Sequence, residues 1–454
     1  MSKTQGSKHN TYSFSAKMKI RNIILLTSLL LFGRCLSQDS LQYLTLSAAR
    51  SYALEHNESL RKAENELLKS CYDRRAAFRS ALPTVDASAG VLFMGDQDMM
   101  GYTLQMKGTY LAGFTLTQPL YTGGKITIGN RLAKLGMQCS EEQLRQVKQQ
   151  LIADVDNAYY TWVAVREKVK LLQVYRTQMD SLYSMVEATV NANMATNNDL
   201  LRIGAKRSEL IYQQQKVQNG EHLCMLALAA HMGLNTLPQG AMPVDTVINA
   251  GSASALNSDI SQRPEIVLLN KNVEVMHQQV KMQIADYLPT LALTAGYTWY
   301  GNIKMKGTTM LPDGTPYPFT QSMKASVPLA GIVLKLPILD WGVNFQKIRK
   351  AKLDEQNAQL DLQQNTRLLT IEAEQAMHNL NTGYMLVESA KAAREQADEN
   401  LRVTTERYNN AMCPLTDLLD AQSQWQQARS NEIEALTQLK IHQTEYLRTR
   451  GLLF

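Results

Sequence analysis

Over most of the chain, apolar residues recur at three- and four-residue spacing within stretches rich in Ala, Leu, Glu, Lys and Gln, the pattern of amphipathic helices. Residues 46–80, 125–190, 197–234, 264–286, 343–410 and 415–450 read this way. At 1.5 Å per residue the two longest would extend about 99 and about 102 Å. The shorter ones give about 57 Å (197–234), 35 Å (264–286), 54 Å (415–450) and 52 Å (46–80). Laid end to end, 197–234 with 264–286 roughly matches one long helix, and 415–450 with 46–80 the other. Helices this long have no globular core to fold around, so they are expected to pack laterally as coiled-coil-like hairpins, giving a rod.

Only four stretches alternate with a period of two. Val85, Ala87, Ala89, Val91 and Phe93 share one face against Asp86, Ser88 and Gly90. Tyr110, Ala112, Phe114 and Leu116 oppose Gly113, Thr115 and Thr117; Leu291, Leu293, Ala295, Tyr297 and Trp299 oppose Thr294, Gly296 and Thr298. Ala330, Ile332, Leu334 and Leu336 oppose Gly331, Val333 and Lys335. Strands of about 10 residues with an apolar and a polar-or-small face suit an outer-membrane barrel. The same alternation suits a soluble half-buried sheet. Four strands cannot close a barrel, because small barrels begin at about eight, so a spanning barrel needs several chains. Pro83 and Pro289 end the preceding helices, and Pro119 and Pro337 are expected to close the second strands, since proline lacks the donor an element interior requires.

The chain repeats itself. Residues 81–90 match 287–296 at an offset of 206, and 113–120 match 331–338 at an offset of 218. The second offset persists: Arg131, Lys134 and Leu135 match Arg349, Lys352 and Leu353; Met194 and Asp199 match Met412 and Asp417; Gly233-Leu234 matches Gly451-Leu452. A register held over about 120 residues marks a tandem duplication. The change of offset means an insertion of 12 residues near the turn-rich Leu311–Pro316. The expected organisation is a first repeat over 38–249 and a second over 250–454, each ordered as helix, two strands and helical hairpin.

Residues 1–37 precede both repeats. They carry six basic residues and no acidic one, which accounts for the whole net charge of +6; from Gln38 onward 41 basic residues balance 41 acidic ones. A neutral chain does not suit nucleic acid, whose recognition requires clustered cations. The leader has a basic start, the apolar run Ile23–Phe32 and small residues before a cut at Gln38, the pattern of a signal peptide. Met18 is an alternative start, and Cys35 an alternative lipidation site that the preceding Arg34 disfavours. No later apolar run reaches 18 residues, which excludes a polytopic helical membrane protein; a membrane crossing must be a β-barrel. Cys71, Cys139, Cys224 and Cys413 are isolated, and no metal-ligand spacing occurs.

No GxSxG, Walker A, GxGxxG or HExxH element appears, and the histidines are scattered. No catalytic constellation, cofactor site or metal site is expected, and an enzyme is disfavoured. The informative positions are two polar helix breaks, Asn191–Asp199 and Tyr408–Asp417, each with a methionine. Beyond the second, Asp417 and Asp420 lie at i, i+3 on one helix face. Acids early in a helix offset its dipole, with Pro414 near the first turn. In a symmetric oligomer they would also form a carboxylate ring that favours cations.

Taken in order, these residues resemble the TolC-like outer membrane efflux protein family across essentially the whole mature chain. The carriers are the duplication, Leu44-Thr45-Leu46 with Ala49, Ala53, Leu54 and Asn57, the Leu-Pro-Thr junctions, Gln118–Gly124, and Tyr408 followed by Asp417–Gln422. The resemblance implies a mainly α fold with a small β part: a duplicated helical-hairpin α-barrel continuous with a 12-stranded transmembrane β-barrel, four strands from each chain of a homotrimer. It implies a passive export duct in the outer membrane of a Gram-negative bacterium with a long periplasmic extension, in contact with outer membrane lipid. Its partners would be a periplasmic adaptor (membrane fusion) protein and an inner-membrane pump or ABC exporter. The acidic constriction then maps onto Asp417 and Asp420, and Tyr408 and Asp199 onto positions that tie neighbouring hairpins shut. Asn193, Met194, Ala195, Ala411, Met412 and Cys413 map onto adaptor-docking turns. Pro83, Pro119, Gly123, Gly124, Pro289, Pro337 and Gly342 map onto strand–helix junctions. Asn193 and Ala411 replace the tip glycine, and alanine tolerates a left-handed backbone poorly. Cys413 replaces a bridging arginine carried by some members, so no salt-bridge lock is expected there. The competing class is a soluble periplasmic helical scaffold or pump adaptor.

Overall fold

The long apolar periods form uninterrupted helices. The computed structural model describes residues 43–238, 240–244 and 257–453. The leader, with Met18, Cys35 and the cut at Gln38, lies outside them, as does the boundary between the repeats. Helix α3 spans Lys125–Asn191 and α4 Asn197–His231; α6 spans Val343–Asn409 and α7 Leu415–Thr449. α5 covers Pro264–Ala285. The expected single helix over 46–80 is instead two, α1 (Leu46–His56) and α2 (Glu58–Arg79). Asn57 divides them: its side-chain oxygen accepts from the Ser59 and Leu60 amides at 2.9 and 3.2 Å, while its amide donates to the His231 carbonyl at 2.9 Å. A side chain that caps the next turn competes with helix continuation.

The described residues form two units, each drawing segments from both repeats. One comprises those within Met1–Ala63, Leu144–Pro264 and Arg367–Phe454. It is helical apart from the parallel pair β1 (Tyr43–Leu44) and β6 (Met242–Pro243). Its first apolar cluster joins Leu44, Ala49 and Ala53 to Tyr159 and Trp162 of α3, to Leu228 of α4 and to Met232, which caps that helix. The alanines let α1 approach α3 closely, and the rings fill the space left. A second cluster packs Tyr175, Met179, Leu182 and Val186 against Ile203, Leu210, Leu415, Leu418 and Trp425.

α4 and α7 end alike. Gly233 and Gly451 adopt φ of 73° and 72°, and the following Leu234 and Leu452 amides reach back to Ala229 and Leu447. This closure requires a left-handed residue. A Cβ on Gly233 would lie 2.7 Å from the His56 carbonyl oxygen, and one on Gly451 2.6 Å from that of Gln262. Glycine therefore serves both backbone conformation and close approach.

The second unit comprises Glu64–Gln143 and Glu265–Thr366. Its antiparallel sheet contains β2 (Thr84–Phe93), β3 (Gln97–Met99), β4 (Tyr102–Gln105), β5 (Lys107–Thr122), β7 (Thr290–Met310) and β8 (Pro316–Lys335). β2 with β3 and β4 with β5 are two interrupted strands, so the sheet has four long lines. They lie in the order β2, β5, β7, β8, and among the described residues β2 and β8 each pair on one side only. The strands exceed the expected 10 residues: β7 has 21 and β8 has 20. The 12-residue insertion is not a loop; it lengthens the second hairpin, whose turn is only 311–315. Pro119 does not close β5 either, which continues to Thr122 through a register shift between Pro119 and Tyr121. A bulge tolerates the missing donor.

Cross-strand pairing confirms one apolar face. Val85, Leu116, Ala295 and Ala330 align across the four strands, as do Ala87, Phe114, Tyr297 and Pro328. Tyr297 and Trp299 pack edge to face at 4.7 Å, and Phe114 lies 6.3 and 6.0 Å from them. The opposite face is Asp86, Thr115 and Gly296, or Ser88, Gly113 and Thr298, until β8, where Leu329 and Val327 occupy it. The expected alternation thus fails over residues 327–334 of β8, where Val327, Leu329 and Val333 on one face and Ile332 and Leu334 on the other are all apolar and exposed.

Candidate functional site

The two hairpin tips share one construction. At the first, the Asn193 amide donates to Val190 and the Met194 amide to Thr189; at the second, Ala411 donates to Tyr408 and Met412 to Arg407. These paired bonds satisfy the last carbonyls of a helix and demand a left-handed residue between them. Asn193 has φ 56° and Ala411 φ 58°. Asparagine accepts this conformation with little penalty, whereas alanine carries about 1–2 kcal/mol of strain. Ala411→Gly is therefore expected to stabilise the tip by about 0.5–1 kcal/mol after the added chain entropy of glycine. Slower hydrogen exchange of the Met412 amide would report it.

Met194 and Met412 follow these residues and are 83% and 69% exposed. Cys413 is half-buried, its thiol directed at the Thr404 carbonyl 3.7 Å away. Ala195 is half-buried, and Asn193 and Ala411 are exposed.

The next helix start separates the repeats. Thr196 caps α4 in a reciprocal box: its hydroxyl accepts from the Asp199 amide, and Asp199 Oδ2 accepts from the Thr196 amide and hydroxyl at 3.3 and 2.7 Å. At the matching place before α7 stands Pro414, which supplies neither hydroxyl nor amide hydrogen. The Asp417 carboxylate is consequently outside any such box; its partner is the Thr416 hydroxyl at 3.5 Å. Asp417 and Asp420 are both exposed on the face of α7 opposite the buried Leu415 and Leu418. Equivalent carboxylates are thus held at one tip and left facing outward at the other.

Tyr408 is half-buried against the apolar cluster beneath the tips. Burial first, and then the negative charge of Asp199, pushes its phenol above the usual value. The fold therefore brings Tyr408 and Asp199 close together, although no hydrogen bond joins them among the described residues.

Sequence reasoning missed the polar staples within each hairpin. Asp398 accepts from Trp425 Nε1 at 2.7 Å, Arg429 at 3.0 Å and Arg394 at 3.0 Å, and Arg394 also reaches Glu432 at 3.0 Å. In the first hairpin Arg207 donates to Asp180 at 2.5 Å and Arg176 lies 3.6 Å from it. The signal was present: Arg176 and Asp180 recur as Arg394 and Asp398 at the same offset of 218.

The junction residues lie in the sheet-bearing unit. Gly123 and Gly124 adopt φ of 65° and 84°, and a Cβ on Gly123 would lie 2.7 Å from that of Leu288. In the second repeat Gly342 has φ 82°, but Trp341 occupies the place of Gly123 at φ 53° and is 88% exposed. Pro83 and Pro289 each immediately precede a first strand, and Pro337 follows the end of β8.

Comparison with known proteins agrees with this architecture. The family described as outer membrane efflux protein matches residues 49–221 and 255–447. The chain is 21% identical to the proteases secretion protein PrtF of Dickeya chrysanthemi over 90% of its length and 87% of that protein's. It is 22% identical to the outer membrane protein TolC of Escherichia coli K12, over 87% and 81% respectively. Among solved structures, VceC of Vibrio cholerae superimposes with a TM-score of 0.72 at 16% identity, over 89% of this chain and 96% of that one. The CmeC channel of Campylobacter jejuni gives 0.71 at 18% identity, over 90% and 86%. With the family matched across both repeats, and the fold matched over nearly the whole described chain, this protein belongs to the outer membrane efflux protein family and is an outer membrane exit duct.

Proposed function

We propose that three copies of this chain close one 12-stranded barrel in the outer membrane and that their hairpin tips form its gated periplasmic entrance. The observation that carries this reading is the pair of open sheet edges. β2 and β8 each leave a row of ladder groups unpaired, which bare lipid cannot satisfy. Pairing β2 of one copy with β8 of the next removes every edge, and three copies of four strands exceed the minimum for closure. The apolar face with Phe114, Tyr297 and Trp299 then meets lipid, and the face with Asp86, Ser88 and Thr115 lines the water-filled interior.

At the tips, Asp417 and Asp420 of three copies form a carboxylate ring at the narrowest point, selecting cations and binding multivalent ones. Asp199 and Tyr408 hold adjacent hairpins together. The exposed Met194 and Met412, on their tight turns with Asn193, Ala195, Ala411 and Cys413, present adaptable apolar knobs to a periplasmic adaptor. That adaptor connects the duct to an inner-membrane pump or ABC exporter. The protein's role is passive conduction, with energy supplied by those partners.

Planar bilayer recordings test this reading. The purified protein is expected to have the mass of three chains and to conduct. A trivalent cation added on the tip side is expected to block it, and Asp417→Ala with Asp420→Ala to weaken that block by at least about tenfold, or 1.4 kcal/mol. Undiminished block would move the constriction away from these aspartates, and a non-conducting monomer would end the barrel proposal.

A further inference from the structure

The strands continue well beyond the length needed to cross a membrane, and the apolar face changes character as they do. From Leu291 to Trp299 is about 27 Å along the strand, close to the roughly 25 Å band a barrel presents to lipid. Past that level the ladder shifts register between Leu92 and Phe93 and between Tyr300 and Ile303. Beyond these bulges, the face that carried Tyr110 and Trp299 carries Lys107, Lys304 and Lys306, and at the second bulge itself Lys324 falls on the same face by alternation between Ser326 and Ser322.

Contacts and strand register together place these side chains on one face. Lys107 lies 3.2 Å from Asp96, and Gln105 donates to the same carboxylate at 2.7 Å. Gln105 is paired with Lys304 and Thr103 with Lys306, and across the next strand Ser322 and Thr320 oppose those lysines. Lys306 acts on the Asp96 charge as well, which Gln105 foremost and then Lys107 hold below the usual carboxylate range. The opposite face at this height holds Tyr102, packed at 6.0 Å on Phe319. The cations are therefore segregated to the side that, lower down, is apolar and aromatic. Two aspartates share it, but Asp96 is engaged by Lys107 and Gln105, and Asp98 accepts from the Thr103 hydroxyl at 2.7 Å. Among the described residues, Lys304, Lys306 and Lys324 have no carboxylate within ion-pair distance.

We propose that this patch is a docking surface for the phosphorylated sugar headgroup of the outer-leaflet glycolipid, lipopolysaccharide. The inference rests on the reading that the apolar face meets lipid. It is argued from charge complementarity and from continuity with that face. The lysines stand about 7 to 24 Å along the strands beyond the Trp299 level, the zone a phosphorylated sugar layer occupies above the acyl chains. Gln105, Ser322 and Thr320 place hydrogen-bond donors between the lysines, as a phosphate with several acceptor oxygens requires. The lengthened second hairpin would thus give the barrel a grip on the lipid that surrounds it.

The test uses the full-length oligomer in detergent, titrated with lipopolysaccharide and with the same material after removal of its phosphates. The wild type is expected to bind the phosphorylated form more tightly. Replacing Lys304, Lys306 and Lys324 by glutamine is expected to weaken that binding about fivefold per lysine, on the order of a hundredfold in total. It should leave binding of the dephosphorylated form and the thermal unfolding midpoint unchanged. Lys347→Gln with Lys350→Gln, on α6, should have no effect. Equal binding of both lipids by the wild type, or a triple variant that binds like the wild type, overturns the headgroup proposal. Recovery of the wild type from the outer membrane fraction separates the two readings: if it is recovered there and the titration is flat, only the headgroup proposal falls. If it is recovered as a soluble protein, the lipid-facing sheet falls with it.

Discussion

Replacing Arg50 by alanine is expected to destabilise the helical unit by about 3–4 kcal/mol, near the range for breaking a buried ion pair from one side. Asp156 is fully buried on α3, and Arg50 of α1 donates to both its oxygens at 2.6 and 2.5 Å. Thr444 of α7 donates to the second oxygen at 2.7 Å. One carboxylate thus joins three helices. Without Arg50 the charge stays in the interior with the Thr444 hydroxyl as its one remaining side-chain partner among the described residues, and desolvation goes uncompensated. The paired change Arg50→Met with Asp156→Leu removes both charges and is expected to recover most of the loss, because a filled apolar contact replaces the pair. Chemical denaturation of the three proteins checks this, and equal losses for the single and double variants would show that packing rather than charge holds the site.

Gly451→Ala is expected to cost about 3 kcal/mol or more, combining left-handed strain of about 1–2 kcal/mol with a backbone clash worth a further 1–3. The clashing atom is the Gln262 carbonyl oxygen, which cannot rotate away as a side chain could. Gly314 provides the control: its φ is 83°, but a Cβ there would meet no atom within 4 Å. Gly314→Ala should therefore show the conformational part alone, about 1–2 kcal/mol. If the two substitutions cost the same, close approach at the end of α7 contributes nothing.

The helices were legible because their signal is local and redundant. Tens of residues at helical spacing, without proline between Lys125 and Val190, admit few other readings, and the observed ends fall within a few residues of those expected. The break at Asn57 was not legible, because one asparagine within a helical pattern is ordinarily tolerated. Here the His231 carbonyl, distant in the chain, orients the side chain to cap α2. Strand length was misjudged for the opposite reason. Past Trp299 the alternation passes through a bulge and turns polar, so the pattern fades where the ladder continues.

The gate positions show the same division. Register alone pairs Asp199 with Asp417, yet only the folded tips reveal that Thr196 engages one carboxylate and that Pro414 leaves the other without such a partner. The repeat marks Asp180 and Asp398 as equivalent, but their partners on the returning helix, Arg207 and Arg429, do not stand at matching positions, so those cross-helix contacts had no sign in the sequence. The amino-acid order by itself determined what is encoded locally or by repetition: the helical periods, the alternating faces, the duplication and the family they identify. Tertiary structure decided which carboxylates are held and which stay open, where glycine is obligatory, and which face the lysines occupy, because each depends on atoms brought together from remote parts of the chain.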